Sequence, residues 1–368
     1  NGVLQSIPDW LTGEYFTGDG GYSYQFTLTS STADLAFDNL PSLANDGSLQ
    51  FTLTSGTSGF AYFDLVISDP SGTMIDSDTY SFSIRATGSV LYVDASLSSG
   101  ADGSGWGNAF NNLSDAMASA TNGDTLQIAA GTYTGSFTTT VPISIYGGFP
   151  TGGGNSEDRD PAANPTLLSG GDTERVLFLD TLTSAVLIDG ITIQNGRNGD
   201  RGAGALVRNC TAVTFQNVQF LNNTSRSVHA SAAVSGAALG IESSNVTLMD
   251  CGFTTNRCDG FPVNGGNGGN ARGGALYAED STLSLHNCSF TDNLAKSGQS
   301  FQSSKDGRLA HGGALYAHQT SLSLYSCSFS SNSADSGNGI NGTSSSDASD
   351  GRDGANAGID FEAESGED

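Results

Sequence analysis

By residue type and spacing, the strongest candidates for chemistry in this chain are Glu242, Glu279 and His318. Each stands three residues after the leucine of a small-residue run, GAAL ending at Leu239 and GGAL ending at Leu276 and Leu315. Asn209 holds the same place after Leu206. If these positions stack on successive turns of a repeat, the two carboxylates lie one strand spacing apart, ~4.8 Å. That is close to the ~5–5.5 Å at which paired carboxyl groups serve a retaining glycosidase. The same pair suits calcium, a hard cation that takes oxygen ligands. A plainer reading stands beside both: the position is a corner, where Glu, Asn and His simply face water.

A second set is built of thiols. Cys251, Cys288 and Cys327 recur twelve residues after the leucines, with Val218 in the first unit. Neighbours in such a column point the same way, which is poor geometry for a disulfide. Buried free cysteine packs as a small hydrophobe, so a structural role is expected. Cys210 and Cys258 fall outside that column, and a disulfide between them stays open. His229, His286, His311 and His318 share no metal-ligand spacing. Asp69, Asp76 and Asp78 are candidates for a calcium site, or ordinary turn residues. No resident cofactor is expected; calcium is the ion these carboxylates leave open.

What positions these residues is a repeat. Four segments align without gaps, 203–223, 236–256, 273–293 and 312–332. Counting from Leu206, Leu239, Leu276 and Leu315, apolar residues recur at seven (Val213, Val246, Leu283, Leu322) and nine (Phe215, Leu248, Leu285, Leu324). Fourteen on stand Phe220, Phe253, Phe290 and Phe329, and seventeen on Asn223, Asn256, Asn293 and Asn332. Spacing inside a unit is fixed while the gaps between units vary, the pattern of a solenoid with loops on one edge. Positions seven and nine alternate with polar residues, as a half-buried strand does. The step from nine to twelve breaks that phase and requires a corner. The reading is a triangular parallel β-helix, three strands to a turn. A degenerate earlier coil places Leu179, Val186, Ile188, Ile191 and Ile193 in the same scheme, with Gly196 at the asparagine position. Each coil would bury about five apolar side chains, at roughly 1.5–3 kcal/mol apiece before chain entropy is charged against them.

Composition agrees with a thin core. Only 36% of the 368 residues are hydrophobic, 50 are glycine, and Lys+Arg 13 against Asp+Glu 38 gives −25. Such a surface repels nucleic acid and anionic membranes. No apolar run approaches the ~20 residues of a membrane helix.

The GGA-aliphatic and Phe-x-x-Asn motifs, standing here as GGAL at Gly273 and Gly312 and as FLNN, FTTN, FTDN and FSSN, resemble the repeats of chlamydial polymorphic membrane proteins. Related bacterial surface proteins carry them too. The stretch 91–133, then YGGF and LIDGITIQNG, is similar to the β-helix entry region of large secreted bacterial proteins. The resemblance covers roughly 90–368 and implies a right-handed, pectin-lyase-like parallel β-helix on a bacterial cell surface, often in adhesion. Two departures stand out. The first units read AGAL and GAAL, and the family's membrane barrel is absent from this stretch. The paired-Asp and Arg-Ile-Lys signatures of polygalacturonases, which share the fold, are missing as well.

Residues 1–88 hold strand-like runs between Gly, Asp and Ser turns, with Arg85 as their one basic residue. They read as a β-sandwich of immunoglobulin or cadherin-like type. Residues 89–368 would be the β-helix. A cap helix is expected over about 109–120 with Asn108 as its N-cap, and an incomplete last coil over 357–368. The inserts NGGNGGNARG, SGQSFQSSKDGR and SGNGINGTSSSDASDGRDGANAG are too polar to fold alone. The expected function is a non-enzymatic segment of an extracellular, secreted or cell-surface adhesin, its signal and anchor outside this stretch. Inserts at 256–272, 294–311 and 333–356 would meet a cell-surface glycan or protein. The alternatives are a polysaccharide lyase or glycoside hydrolase, and a self-associating fibre subunit. Neither nucleic acid nor direct membrane insertion is expected.

Overall fold

The computed structural model describes residues 4–7, 23–31, 36–44, 48–54, 59–68, 80–86, 88–227, 233–260, 269–298, 309–336 and 359–362. Asp69, Asp76, Asp78, His229 and the insert stretches 261–268, 299–308 and 337–358 lie outside them. The chain divides into two units, Asn1–Ser89 with Thr121–Thr125, and Val90–Ala120 with Leu126–Asp368.

The first unit is two three-stranded antiparallel sheets. One holds Leu4–Ile7, Leu49–Leu53 and Phe37–Leu43; the other holds Ser23–Ser31, Gly59–Ser68 and Tyr80–Ala86. Alternate residues Leu49, Phe51 and Leu53 share one buried cluster with Ala61, Phe63 and Ile84 of the other sheet. The Phe37 ring meets Phe51 and Phe63 edge-on at 6.3 and 5.5 Å, closing a small β-sandwich. Phe37–Leu43 is hard to foresee, because Pro41 and two register shifts interrupt its alternation.

The second unit is a parallel β-helix of the right-handed kind that parallel crossovers favour. Sheet I stacks Phe137–Thr139, Leu177–Asp180, Ala205–Arg208, Leu239–Glu242, Leu276–Glu279, Leu315–His318 and Ile359–Glu362. Sheet II includes Ser144–Phe149, Val186–Asp189, Val213–Gln216, Asn245–Met249, Thr282–His286 and Ser321–Tyr325. Sheet III runs from Gly131–Thr134 through Ile191–Gln194, Gln219–Leu221, Gly252–Thr254 and Ser289–Thr291 to Ser328–Ser330. A turn has more than the three strands expected. Sheet IV stacks Arg197–Asn198, Thr224–Arg226, Arg257–Asp259, Leu294–Lys296 and Ser333–Asp335, and a short sheet V stacks Val234–Ser235, Ala271–Arg272 and Ala310–His311. These strands escape notice because they are two or three residues long and bury small side chains, so no apolar period marks them.

The register also moves the first frame by one. Ala205, not Leu206, pairs with Leu239, and Leu177, not Leu179, pairs with Ala205. The corner between Arg208 and Val213 holds one residue more than that between Glu242 and Val246, which restores the phase on sheet II. Corners take left-handed residues, as short polar side chains permit. Ser243, Asp280 and Gln319 lie at φ 46, 50 and 46°, with Asp250, Asn287 and Ser326 at 55, 56 and 54° on the next corner. At Gly273 and Gly312, φ is 62 and 56°, and a Cβ would collide with the carbonyl oxygens of Leu276 and Leu315.

Inside, like stacks on like. The rings of Phe220, Phe253, Phe290 and Phe329 lie parallel at 4.7, 4.5 and 4.8 Å. The helix that covers the first coil is shorter than expected, Leu113–Ser119, and Asn112 rather than Asn108 caps it by accepting from the Asp115 N–H at 2.8 Å. Ala109 is extended and Phe110 bridges to Val93, so neither joins the helix. Leu113 and Ala116 close the core from that end.

Candidate functional site

Glu242 and Glu279 are partners in the register of sheet I, and His318 follows Glu279 in the same column. Asn209 does not share it; Arg208 stands opposite Glu242, and Asp180 opposite Arg208. One guanidinium occupies the space between the two glutamates. Arg201 Nη1 donates to Glu242 Oε1 at 2.8 Å and to Glu279 Oε2 at 2.9 Å, while its Nε lies 3.6 Å from Asp200. The same guanidinium covers the Tyr277 ring at 5.2 Å from its centroid. Burial alone would lower the Arg201 pKa, but Glu242, Glu279 and Asp200 outweigh it and raise it. Burial, reinforced by Glu279, pushes the Tyr277 hydroxyl up to about 12.

This arrangement argues against the glycosidase reading. A retaining pair divides its labour: one carboxyl gives a proton while the other attacks, both facing substrate. Here both are acceptors to one nitrogen, each a quarter to a third exposed, and the cation ties together successive coils. Below it Arg208 makes a two-pronged contact with Asp180 at 3.0 and 2.8 Å, and that Arg208 bond holds the Asp180 carboxyl below its usual range. The column is a ladder of alternating charge along one edge of sheet I. Among the described residues, no group of three or more His, Cys, Asp or Glu is placed to hold a metal.

The Asn223, Asn256, Asn293 and Asn332 side chains form a continuous buried chain. Asn256 Oδ1 accepts from both the backbone N–H and the Nδ2 of Asn223, each at 3.0 Å, while Asn256 Nδ2 donates to the Phe220 carbonyl at 3.0 Å. The pattern repeats at Asn293 and Asn332. Cys251 and Cys288 are buried in the core column with Cys327 half-buried above, and all five cysteines are free. Cys210 and Cys258 therefore form no disulfide; they belong to two different clusters. Burial raises the pKa of both thiols.

A second buried ladder is not foreseen at all. Ser244 Oγ donates to the Glu242 carbonyl at 2.7 Å and accepts from the Cys210 N–H at 2.9 Å; Ser281 and Thr320 repeat the motif. Cys210 takes the same place in its coil, its thiol donating to the Arg208 carbonyl at 3.2 Å. The signal was available as a hydroxyl two residues after Glu242, Glu279 and His318.

Sheets IV and V root the inserts. The inserts at 256–272 and 294–311 each leave after a sheet IV strand and return on a sheet V strand, so these two emerge on one edge. The insert at 333–356 also leaves after a sheet IV strand, Ser333–Asp335, but the next described strand, Ile359–Glu362, belongs to sheet I. Between the roots lies a separate small core of Val234, Ala237, Cys258, Ala271 and Ala295, with Ala310 packed against it. Arg272 covers Tyr316 at 5.6 Å as Arg201 covers Tyr277, and its buried Nε has no hydrogen-bond partner among the described residues.

No family model matches the chain, and no curated protein does. Among solved structures it is similar to the pectin methylesterase PemA from Erwinia chrysanthemi, at 11% identity with a TM-score of 0.29, over 64% of this chain and 90% of that one. Nothing of that esterase's chemistry is carried over to this chain.

Proposed function

We propose that this chain is a binding and structural segment of an extracellular or cell-surface protein: a stiff β-helix that presents inserts of variable length from one edge. The observation that carries the reading is the shared root. The inserts at 256–272 and 294–311 differ in length and sequence yet spring from the same pair of short strands over the same small core, and 333–356 leaves from the same sheet IV. Catalysis by the stacked Glu242–Glu279 pair is disfavoured by its clamping on Arg201. The partner is a surface glycan or protein, and no resident cofactor is needed.

The test removes 261–268, 299–308 and 337–358 singly, bridging each root with a short glycine–serine link. Binding to a panel of immobilised extracellular matrix proteins and branched surface glycoproteins is then compared with thermal stability. The expected result is loss of binding with the melting temperature preserved. Binding that survives all three deletions would contradict the reading.

A further inference from the structure

Away from the insert edge, a groove of ≈ 690 Å³ runs along the corner between sheets I and II. Two rows of side chains rise beside it. Asn209, Ser243 and Asp280 are the left-handed corner residues of successive coils, and Asn245, Thr282 and Ser321 open the strands of sheet II in register. Ser244 and Ser281 of the hydroxyl ladder form part of the floor, their hydroxyls already spent on carbonyls and N–H groups. The rows are different. Among the described residues none of these six side chains makes a hydrogen bond.

The other corners hold bonded pairs. On the corner between sheets II and III, Asn217 donates to Asp189 and Asn287 to Asp250, both at 3.1 Å. On the next, Thr255 donates to Asn222. Those pairs are bonded within their own column, although among the described residues the side chains of Ser326, Asp292 and Ser331 are not. On the grooved corner all six named side chains stay uncommitted, in two parallel rows whose members follow at one strand spacing. Such rows match a chain that itself repeats hydroxyl groups at short intervals.

We propose that this groove binds a neutral, linear oligosaccharide lying along the solenoid axis. The lining holds no lysine, arginine or aromatic ring, and Asp280 is its one charge. A polyanion meets no counter-charge there and is repelled by the chain's −25. A peptide finds no apolar pocket for its side chains. Hydroxyls, which donate and accept at once, can satisfy both rows.

Titration calorimetry on the full chain tests this with cellohexaose, mannohexaose and chitohexaose, and with hexagalacturonate as the anionic counterpart. Saturable binding of at least one neutral hexamer is expected, weakened about tenfold by the Asn245→Ala/Thr282→Ala pair, which removes two hydrogen-bonding groups. The melting temperature should stay unchanged, and a variant lacking 299–308 should bind as the parent does. The proposal is overturned by three silent neutral probes, by equal binding of hexagalacturonate, or by binding that the paired substitution leaves intact. Binding lost on removal of 299–308 also overturns it, and would move recognition to the insert edge.

Discussion

At the corner between sheets III and IV, four successive coils each commit one buried asparagine, and Asn223, Asn256 and Asn293 spend the oxygen and both amide hydrogens on neighbouring coils. At the corner between sheets I and II, the buried group is a hydroxyl or thiol that ties its own coil's carbonyl to the N–H of the coil before it. The first corner tolerates one residue type, with Gly196 ending the row by offering an N–H to Asn223. The second accepts Cys210, Ser244, Ser281 and Thr320 in turn, and leaves the side chains of its neighbours Asn209, Ser243 and Asp280 unbonded among the described residues. The contrast separates frame from decoration. A ladder that passes bonds from side chain to side chain fixes the stacking, and a ladder that closes locally frees the surface around it to vary.

Substitutions should rank accordingly. Asn256→Leu gains apolar area but strands the Asn223 N–H and the Phe220 carbonyl in the core; urea melts should show a loss of about 3–5 kcal/mol. A loss under about 1 kcal/mol would mean that the asparagine chain is incidental. Arg201→Met leaves Glu242 and Glu279 side by side without their cation, and because both reach water the cost should be about 2 kcal/mol by the same measurement. Ser281→Ala strands the Ser244 N–H at the edge of the groove and should cost about 1 kcal/mol, while Ser281→Thr should be neutral, as Thr320 already shows the ladder accepting threonine. Shortening 299–308 should be the mildest change, within about 0.5 kcal/mol, since loop length weighs only logarithmically on stability. A larger effect there would make the inserts part of the frame.

Much of the frame could be read from residue order. The fixed offsets of Val, Leu, Phe and Asn gave away parallel stacking because each buried column repeats one side-chain type. The first coil slipped by a residue because Leu206 looks like Leu239 although Ala205 takes its place, and only pairing reveals the extra residue of that corner. Sheets IV and V stayed hidden because Cys258, Ala295 and Ala271 are too small to print a hydrophobic period. For the carboxylates, sequence supplied the column but not its meaning. Arg201 lies outside the aligned units, so nothing in their spacing announces that it bridges Glu242 and Glu279.

The Glu242–Glu279 pair holds coils together through Arg201, and a role in catalysis can be tested against that one. The most direct test measures reducing-end, ester and unsaturated-product release from acidic and neutral polysaccharides, with and without calcium. The parent chain and Glu279→Gln would be assayed in parallel, and the melting temperature of each recorded. The expected result is no turnover from either, and a lowered melting temperature for Glu279→Gln. Turnover by the parent that Glu279→Gln abolishes at unchanged melting temperature would contradict it and make the clamp an active site.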